Sequence, residues 1–282
     1  MNKNYLSIYA KSFNWAGFFL PKIVYKKCST LYDFCRTIDD IADQELKLDV
    51  KIKQFQEFKD KFTNKDFNNQ IIKNMHGVID DTGISKKIVY DLFDGVESDL
   101  KNEVKMNSKK ELLIYSYRVA GTVGLMMAKI LKVKKQNALK AAIDLGIAMQ
   151  LTNIARDVVE DNTKNRKYIN SNFESIKNTL KNADTFYESS FSSISNIPIG
   201  CRFAILVARR VYRQIGNNIL SKGNIENYDK SGKIYVSSFG KFFQTILSIF
   251  DFFLLFITRP KEHDKEIEHQ IINEEINLNE RI

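Results

Sequence analysis

A helix laid through Leu145 to Ile169, LGIAMQLTNIARDVVEDNTKNRKYI, has no face that it can give wholly to water. At 3.6 residues per turn, Ile147, Leu151, Ile154 and Val158 fall on one apolar stripe. Gln150, Asn153, Asp157 and Asp161 form a second stripe, about 100° round from the first. Most other positions are small or apolar, among them Gly146, Ala148, Met149 and Ala155. A helix apolar nearly all round belongs inside a larger protein. Unpaired carboxylates in a dry interior are costly, so they must meet water, cations or a metal. The polar stripe therefore faces a hydrated cavity or a metal site.

The 282 residues include only 3 Pro and 12 Gly, and no run of turn residues separates blocks of different composition. One helical domain, residues 1–260, is expected, followed by a charged C-terminal tail, 261–282. A formal net charge of +9 and a pI near 9.2 leave nucleic acid, membrane surfaces and phosphorylated small molecules open. The lysines are scattered, and no RNP pattern, zinc knuckle or helix-turn-helix signature occurs, so nucleic acid is not expected as a partner. Cys28, Cys35 and Cys201 form an odd set without CxxC, which suits a reducing compartment better than a disulfide framework. His76, His263 and His269 lack HExxH or paired ligand spacing and read as ordinary surface or loop histidines. Met1 to Leu20 lacks the order of regions of a signal peptide, so a cytoplasmic protein is expected.

From Val24 a helical pattern sets Leu31, Phe34, Cys35, Ile38 and Ala42 near one face, with Tyr32, Arg36, Asp39 and Asp43 along another. Residues 45–75 read as a lysine-rich amphipathic helix and a polar loop, and 85–105 as a further helix. ELLIYSYRVAGTVGLMMAKIL is helical but carries Gly121 and Gly124. Each costs about 1 kcal/mol relative to alanine, so they serve close packing or ligand approach. Another helix follows Pro198, with Arg209, Arg210 and Arg213 beside its apolar positions. Phe239 to Ile257 is the most apolar stretch, interrupted by Lys241, Gln244 and Asp251. It reads first as a core helix, next as a helix lying against lipid, and last as a membrane span. The tail KEHDKEIEHQIINEEINLNERI reads as loosely ordered.

Two DxxxD units, Asp39/Asp43 and Asp157/Asp161, each place two carboxylates one turn apart, with Arg36 or Arg156 in the same turn. Hard oxygen ligands at this spacing suit Mg²⁺, or Mn²⁺ in its place, which bridges to phosphate oxygens. The guanidiniums suit the remaining oxygens of a diphosphate. Four acidic groups facing one cavity also raise one another's pKa when no cation is present.

FCRTIDDIAD and AMQLTNIARDVVEDNTKNRKYI resemble the two signature regions of the squalene/phytoene synthase family. YSYRVAGTVG, SFNWAGFFLP and VARRVYRQI resemble its other recurrent segments, in the family's order, so the likeness runs from Ser12 to Phe243. SFNWAGFFLP and SGKIYVSSFGK are most similar to the bacterial phytoene-forming branch. The resemblance implies an all-α isoprenoid-synthase helical bundle with a central active-site cavity. It also implies head-to-head joining of two prenyl diphosphates through a cyclopropyl intermediate. On that resemblance, Asp39 and Asp43 form the first metal–diphosphate motif, and Asn153, Asp157 and Asp161 the second. Arg36, Arg156 and Tyr212 match diphosphate or active-site positions. Tyr32, Tyr115, Val119, Gly121, Gly124 and Gln150 match the cavity lining, and Phe13 an aromatic near the prenyl chain. Lys233, in GKIYVS, stands where the family usually has arginine; it keeps the charge and loses the planar fork.

The implied reaction converts two geranylgeranyl diphosphates to phytoene without NADPH. The nearest rival is a squalene or dehydrosqualene synthase acting on farnesyl diphosphate, the squalene case needing NADPH. A non-catalytic binding or assembly protein is a third reading. Tyr32, Tyr115 and Tyr212 read either as faces that stabilise an allylic cation or as packed tyrosines with bonded hydroxyls. The Phe-rich C-terminal helix implies peripheral contact with the inner face of the membrane.

Overall fold

The computed structural model describes residues 11–259, 262–263 and 265–282, so the reading of residues 1–10 as free of a signal segment lies outside the described residues. The chain is all-α. Its order is α1 (Lys11–Gly17), α2 (Lys22–Asp43), α3 (Leu48–Thr63), α4 (Gln70–Thr82), α5 (Lys86–Glu97) and a two-residue strand β1 (Val104–Lys105). Next, α6 (Lys109–Ser116) passes through a π-helical segment, Tyr117–Gly121, into α7 (Thr122–Ile130). Then come α8 (Gln136–Arg156), α9 (Val158–Thr163), β2 (Arg166–Lys167), α10 (Phe173–Phe191), α11 (Ile199–Leu220), α12 (Ile225–Lys230), α13 (Ser238–Ile257) and α14 (Ile267–Glu275).

Local chemistry sets many of the helix ends. Side chains of Asn69, Ser85, Ser108, Asn172, Asn224 and Ser237 accept backbone N–H groups at the starts of α4, α5, α6, α10, α12 and α13. Pro21 and Pro198 stand just before α2 and α11. Gly83, at φ 67°, closes α4.

At the centre lies α8, packed by α10, α7, the π-helical segment and α11. Ile147, Leu151, Ile154 and Val158 are buried, as their stripe required. A Cβ on Gly124 would stand 2.1 Å from the Ala142 carbonyl oxygen, and one on Gly146 2.2 Å from that of Ala120. These glycines let α7 and the π-helical segment approach α8 at backbone distance. Gly121 faces the Ile143 and Ile147 side chains of α8, 3.0 and 3.3 Å from an added Cβ. The expectation that Gly121 and Gly124 line the cavity is therefore corrected: both serve helix–helix contact.

The single helix expected over 145–169 is also corrected. Asp157, at φ −105° and ψ 13°, leaves helical geometry between α8 and α9. The Asp161 N–H still donates to the Asp157 carbonyl at 2.8 Å, so the two carboxylates remain one turn apart. The freed carbonyls of Ala155 and Arg156 both accept from the Tyr228 hydroxyl, at 3.0 and 2.8 Å. Past α9, β2 pairs in parallel with β1, Val104 opposite Arg166 and Lys105 opposite Lys167.

Two further expectations change. Read as a core helix, α13 in fact buries only Gln244, Ser248, Asp251 and Leu255. The tail, read as loosely ordered, forms α14 and buries His269, Ile272, Ile276 and Leu278, because its few apolar residues recur at helical spacing on one side. Arg281 pins its end to buried Asp91 at 3.0 and 3.1 Å. None of the three histidine rings is a surface group: His76 stacks on Phe62, and His263 and His269 stack on each other with Nε2 atoms 2.8 and 3.1 Å from one buried Asp144 oxygen. Ser189 also donates to that oxygen.

Burial pushes the Asp144 carboxyl up, but the hydrogen bonds from His263 and His269 outweigh it and hold the group below the usual range. A depressed carboxyl contributes stability that is complete above its unfolded value, about 3.9, and is lost as pH falls through the folded value. Acid titration followed by limited proteolysis is expected to release residues 262–282 in that window. Asp144→Asn is expected to flatten this acid dependence.

Candidate active site

A cavity of about 300 Å³ opens beside the polar stripe of α8. From α2 come Arg36, Asp39 and Asp43; from the opposite wall Gln150, Asn153, Arg156, Asp157 and Asp161; Tyr115 and Val119 close a side, and Lys233 the rim. Val119 reaches the cavity from the π-helical segment, a distortion frequent at functional sites. Both DxxxD units thus meet in one space, as the sequence required.

Phe13, Tyr32 and Tyr212 stand beside this space rather than in its wall. The Phe13 and Tyr212 rings lie 4.8 Å apart, and Tyr32 interacts with Tyr212 and Arg36. Enclosure in protein pushes the phenols of Tyr32 and Tyr212 each up to about 12, so both stay neutral. Together they form an aromatic flank next to a polar chamber.

Several lining residues were not singled out from the sequence: Asp99, Glu160, Lys164, Arg166 and Tyr168. Arg166 pairs with Asp43 at 2.7 Å, and Lys164 reaches Asp43 at 3.4 Å. Tyr115 and Tyr168, ring centroids 4.8 Å apart, each donate a 2.7 Å hydrogen bond to Asp99. Tyr115 therefore both lines the cavity and has a bonded hydroxyl. Arg166 and Tyr168 lie in NRKYI just after Asp161, which was the available signal; Asp99 sits in ESDL after α5 with nothing local to mark it.

The cations are already engaged with carboxylates. Arg156 makes a bidentate pair with Asp157 at 2.8 and 2.5 Å, and Arg36 pairs with Asp40 at 2.6 Å. Lys233 reaches Glu160 at 2.6 Å and Asp157 at 3.4 Å, so a lysine at this position does arrive at the second carboxylate pair. Asp39 opens onto the cavity yet is closely surrounded by protein; that enclosure, then Asp43, pushes its carboxyl up to about 7. Enclosure and then Asp157 push Asp161 up to about 7 as well. For Asp43 the same enclosure is outweighed by Arg166 and Lys164, which hold it below the usual range.

The donor set fits a hard divalent cation. Asn153 Nδ2 donates to Gln150 Oε1, while Asn153 Oδ1 is buried without a hydrogen-bond partner among the described residues. A buried oxygen left so is costly, and it lies on one stripe with Asp157 and Asp161. Six carboxylates and five cationic groups line the cavity, one negative charge in excess when all are ionised. One divalent ion reverses that sign and makes the space receptive to an anion such as diphosphate.

A phytoene synthase from Pseudescherichia vulneris is 33% identical over 162 residues, 50% of this chain and 52% of that one; the match thus spans about half the length of that relative. A 15-cis-phytoene synthase from Pantoea ananas is 26% identical over 257 residues, 77% of this chain and 81% of that one. Among solved structures, a dehydrosqualene synthase in complex with ligand superposes with a TM-score of 0.71 at 27% identity, covering 87% of this chain and 93% of that one. A squalene synthase from Alicyclobacillus acidocaldarius shares the all-α isoprenoid-synthase fold at a TM-score of 0.67 and 15% identity, over 77% of this chain and 90% of that one. Residues 7–173, more than half of the chain, match the profile of the squalene/phytoene synthase family, and to that family the protein belongs.

Proposed function

We propose that the protein is a phytoene synthase, joining two geranylgeranyl diphosphates head to head to give prephytoene diphosphate and then phytoene. The observation that carries this reading is the meeting of Asp39/Asp43 and Asn153/Asp157/Asp161 across one cavity ringed by guanidinium and ammonium groups. Mg²⁺, or Mn²⁺, held by those five side chains would neutralise the diphosphates and make them better leaving groups. Arg36, Arg156, Arg166 and Lys233 bind and orient the diphosphate oxygens. The aromatic flank of Phe13, Tyr32 and Tyr212 receives the prenyl chain and faces the allylic cation formed when the first carbon–oxygen bond breaks. Carbon–carbon bond formation with loss of a proton gives the cyclopropyl diphosphate. Departure of the second diphosphate, rearrangement and loss of another proton give the hydrocarbon, with no reductant consumed. We place the reaction in the cytoplasm.

A farnesyl diphosphate-using dehydrosqualene synthase is the second reading, favoured by the structural likeness at 27% identity. Incubation with Mg²⁺ and either diphosphate, without and with NADPH, followed by product mass, separates them. A forty-carbon hydrocarbon from geranylgeranyl diphosphate without NADPH is expected. A thirty-carbon product from farnesyl diphosphate would replace the proposal with its rival, and no product from either would favour a non-catalytic member.

A further inference from the structure

A second cluster of ligating groups lies apart from the cavity of the proposed active site. Asp144 of α8, His263 just before α14 and His269 within it meet in the interior, their side chains 2, 5 and 3% exposed. The two imidazoles stack, ring centroids 4.0 Å apart at 24°. Both aim Nε2 at one oxygen of Asp144, Oδ2, at 2.8 and 3.1 Å. Ser189 of α10 brings its hydroxyl to that same oxygen. None of these four residues lines the cavity.

We propose that Asp144, His263 and His269 hold a Zn²⁺ ion that staples the C-terminal segment to α8. One ligand atom from each of the three lies within 4.8 Å of the other two. Tetrahedral Zn²⁺, with bonds of about 2.0–2.1 Å to nitrogen and oxygen, sets neighbouring ligand atoms about 3.3 Å apart. The imidazole nitrogens, 2.8 and 3.1 Å from the carboxylate oxygen, stand close to that spacing. The Ser189 hydroxyl or a water would complete the tetrahedron. Donor type selects the metal. Imidazole suits Zn²⁺, whereas Mg²⁺ takes oxygen ligands and keeps several waters. The carboxylate cavity and this site thus suit different cations.

The tail has need of such a staple. At nine residues, α14 is shorter than the roughly 12–15 at which isolated helices become even marginal. Glu266 gives its start no side-chain cap. Its buried apolar anchor is Ile272, joined by Ile276 and Leu278 beyond its end. A metal held by the folded chain and not by the unfolded one adds its binding energy to the docking of this segment. His263 and His269, six residues apart, stand on either side of Ile267, where α14 begins. One ion would therefore fix both the entry to the helix and its first turn. The inference goes beyond the proposed reaction and does not depend on it.

The test uses the full chain, stripped of metal with a chelator and dialysed against Zn²⁺ in large excess of Mg²⁺. Magnesium competes for the carboxylates of the cavity and leaves imidazole alone. Retention of one Zn²⁺ per chain is expected, measured by atomic emission. His263→Gln and His269→Gln are each expected to weaken retention at least roughly ten-fold. Asp157→Asn, which takes a carboxylate from the cavity, is expected to retain zinc as the parent does. Circular dichroism melts establish that each variant is folded. X-ray absorption at the zinc edge of the parent reads the ligands without any substitution, and scattering from two imidazoles is expected. The chain has three histidines, and His76 Nε2 donates to the Phe62 carbonyl at 3.0 Å, so a two-imidazole shell identifies this pair. The proposal is overturned if the folded parent retains no Zn²⁺, if its zinc lacks two imidazole ligands, or if both folded histidine variants retain zinc as the parent does. Loss of zinc from Asp157→Asn alone would also overturn it, by assigning the ion to the cavity. No readout requires turnover, so failure here leaves the proposed reaction standing.

Discussion

Asp39→Asn is expected to lower Mg²⁺-dependent diphosphate release by about three orders of magnitude, and yet to raise the melting temperature of the metal-free protein above neutral pH. The two effects share one cause. Enclosure and the neighbouring Asp43 push the Asp39 carboxyl up to about 7, well above its unfolded value of about 3.9. A carboxyl raised by folding weakens the fold when ionised. The penalty is absent below the unfolded value, grows as pH rises to the folded one, and is complete above it. Asparagine keeps the shape and removes the charge, so the penalty goes, and with it a ligand of the proposed cation. Asp161→Asn is expected to behave in the same way, since Asp157 crowds it as Asp43 crowds Asp39. Thermal melts at several pH values, with and without Mg²⁺, check this alongside turnover. Mg²⁺ is expected to raise the melting temperature of the parent far more than that of either variant. A variant that turns over like the parent would remove its residue from the proposed metal site.

Gly124→Ala is expected to destabilise the fold by about 3 kcal/mol, at or beyond the upper end for an overpacked contact, and to lower the melting temperature on the order of 6 °C or more. The obstacle is a backbone carbonyl, Ala142 O at 2.1 Å from the added Cβ, and it cannot rotate away as a side chain can. Relief requires α7 to move off α8, which disturbs the reciprocal contact of Gly146 with Ala120. Gly77→Ala is the matched control. It lies in α4 with nothing within 4 Å of the added atom and is expected to stabilise by about 0.5–1 kcal/mol through helix propensity. Denaturant melts of the two variants measure the difference. Equal melts would show that α7 and α8 adjust freely at this contact.

Periodicity made the chemical centre legible. Asp39 with Asp43, and Gln150 with Asn153, Asp157 and Asp161, are each fixed on one helix face by spacing alone, and all six line the cavity. What spacing cannot supply is the partner. The family resemblance set Gly121 and Gly124 in the cavity lining, while the residues themselves left close packing and ligand approach both open, because a glycine looks alike in sequence whether it makes room for a ligand or for a helix. Arg166 enters the site through the pairing of β1 with β2, segments some sixty residues apart that share no local pattern, and Asp99 is joined to it there by the hydroxyls of Tyr115 and Tyr168. In α13, composition spoke for burial, whereas three well-placed polar residues turned the helix over. In the tail, numerous charges masked the spacing of Ile272, Ile276 and Leu278, and the anchors His263 and His269 have their acceptor more than a hundred residues away.

The break at Asp157 gives the second carboxylate pair a mechanical companion. A continuous helix would have kept the carbonyls of Ala155 and Arg156 for its own next turn; here both are surrendered to the Tyr228 hydroxyl. Tyr228 sits on α12, five residues before Lys233, whose ammonium answers Glu160 and Asp157. One phenol therefore ties α12 to the break between α8 and α9. Under the proposed function, Asp157 and Asp161 would therefore meet a cation on a segment that Tyr228 ties to the lysine on the rim. The break in the helix, the phenol that fills it and the ammonium on the rim are thus one brace around the second carboxylate pair.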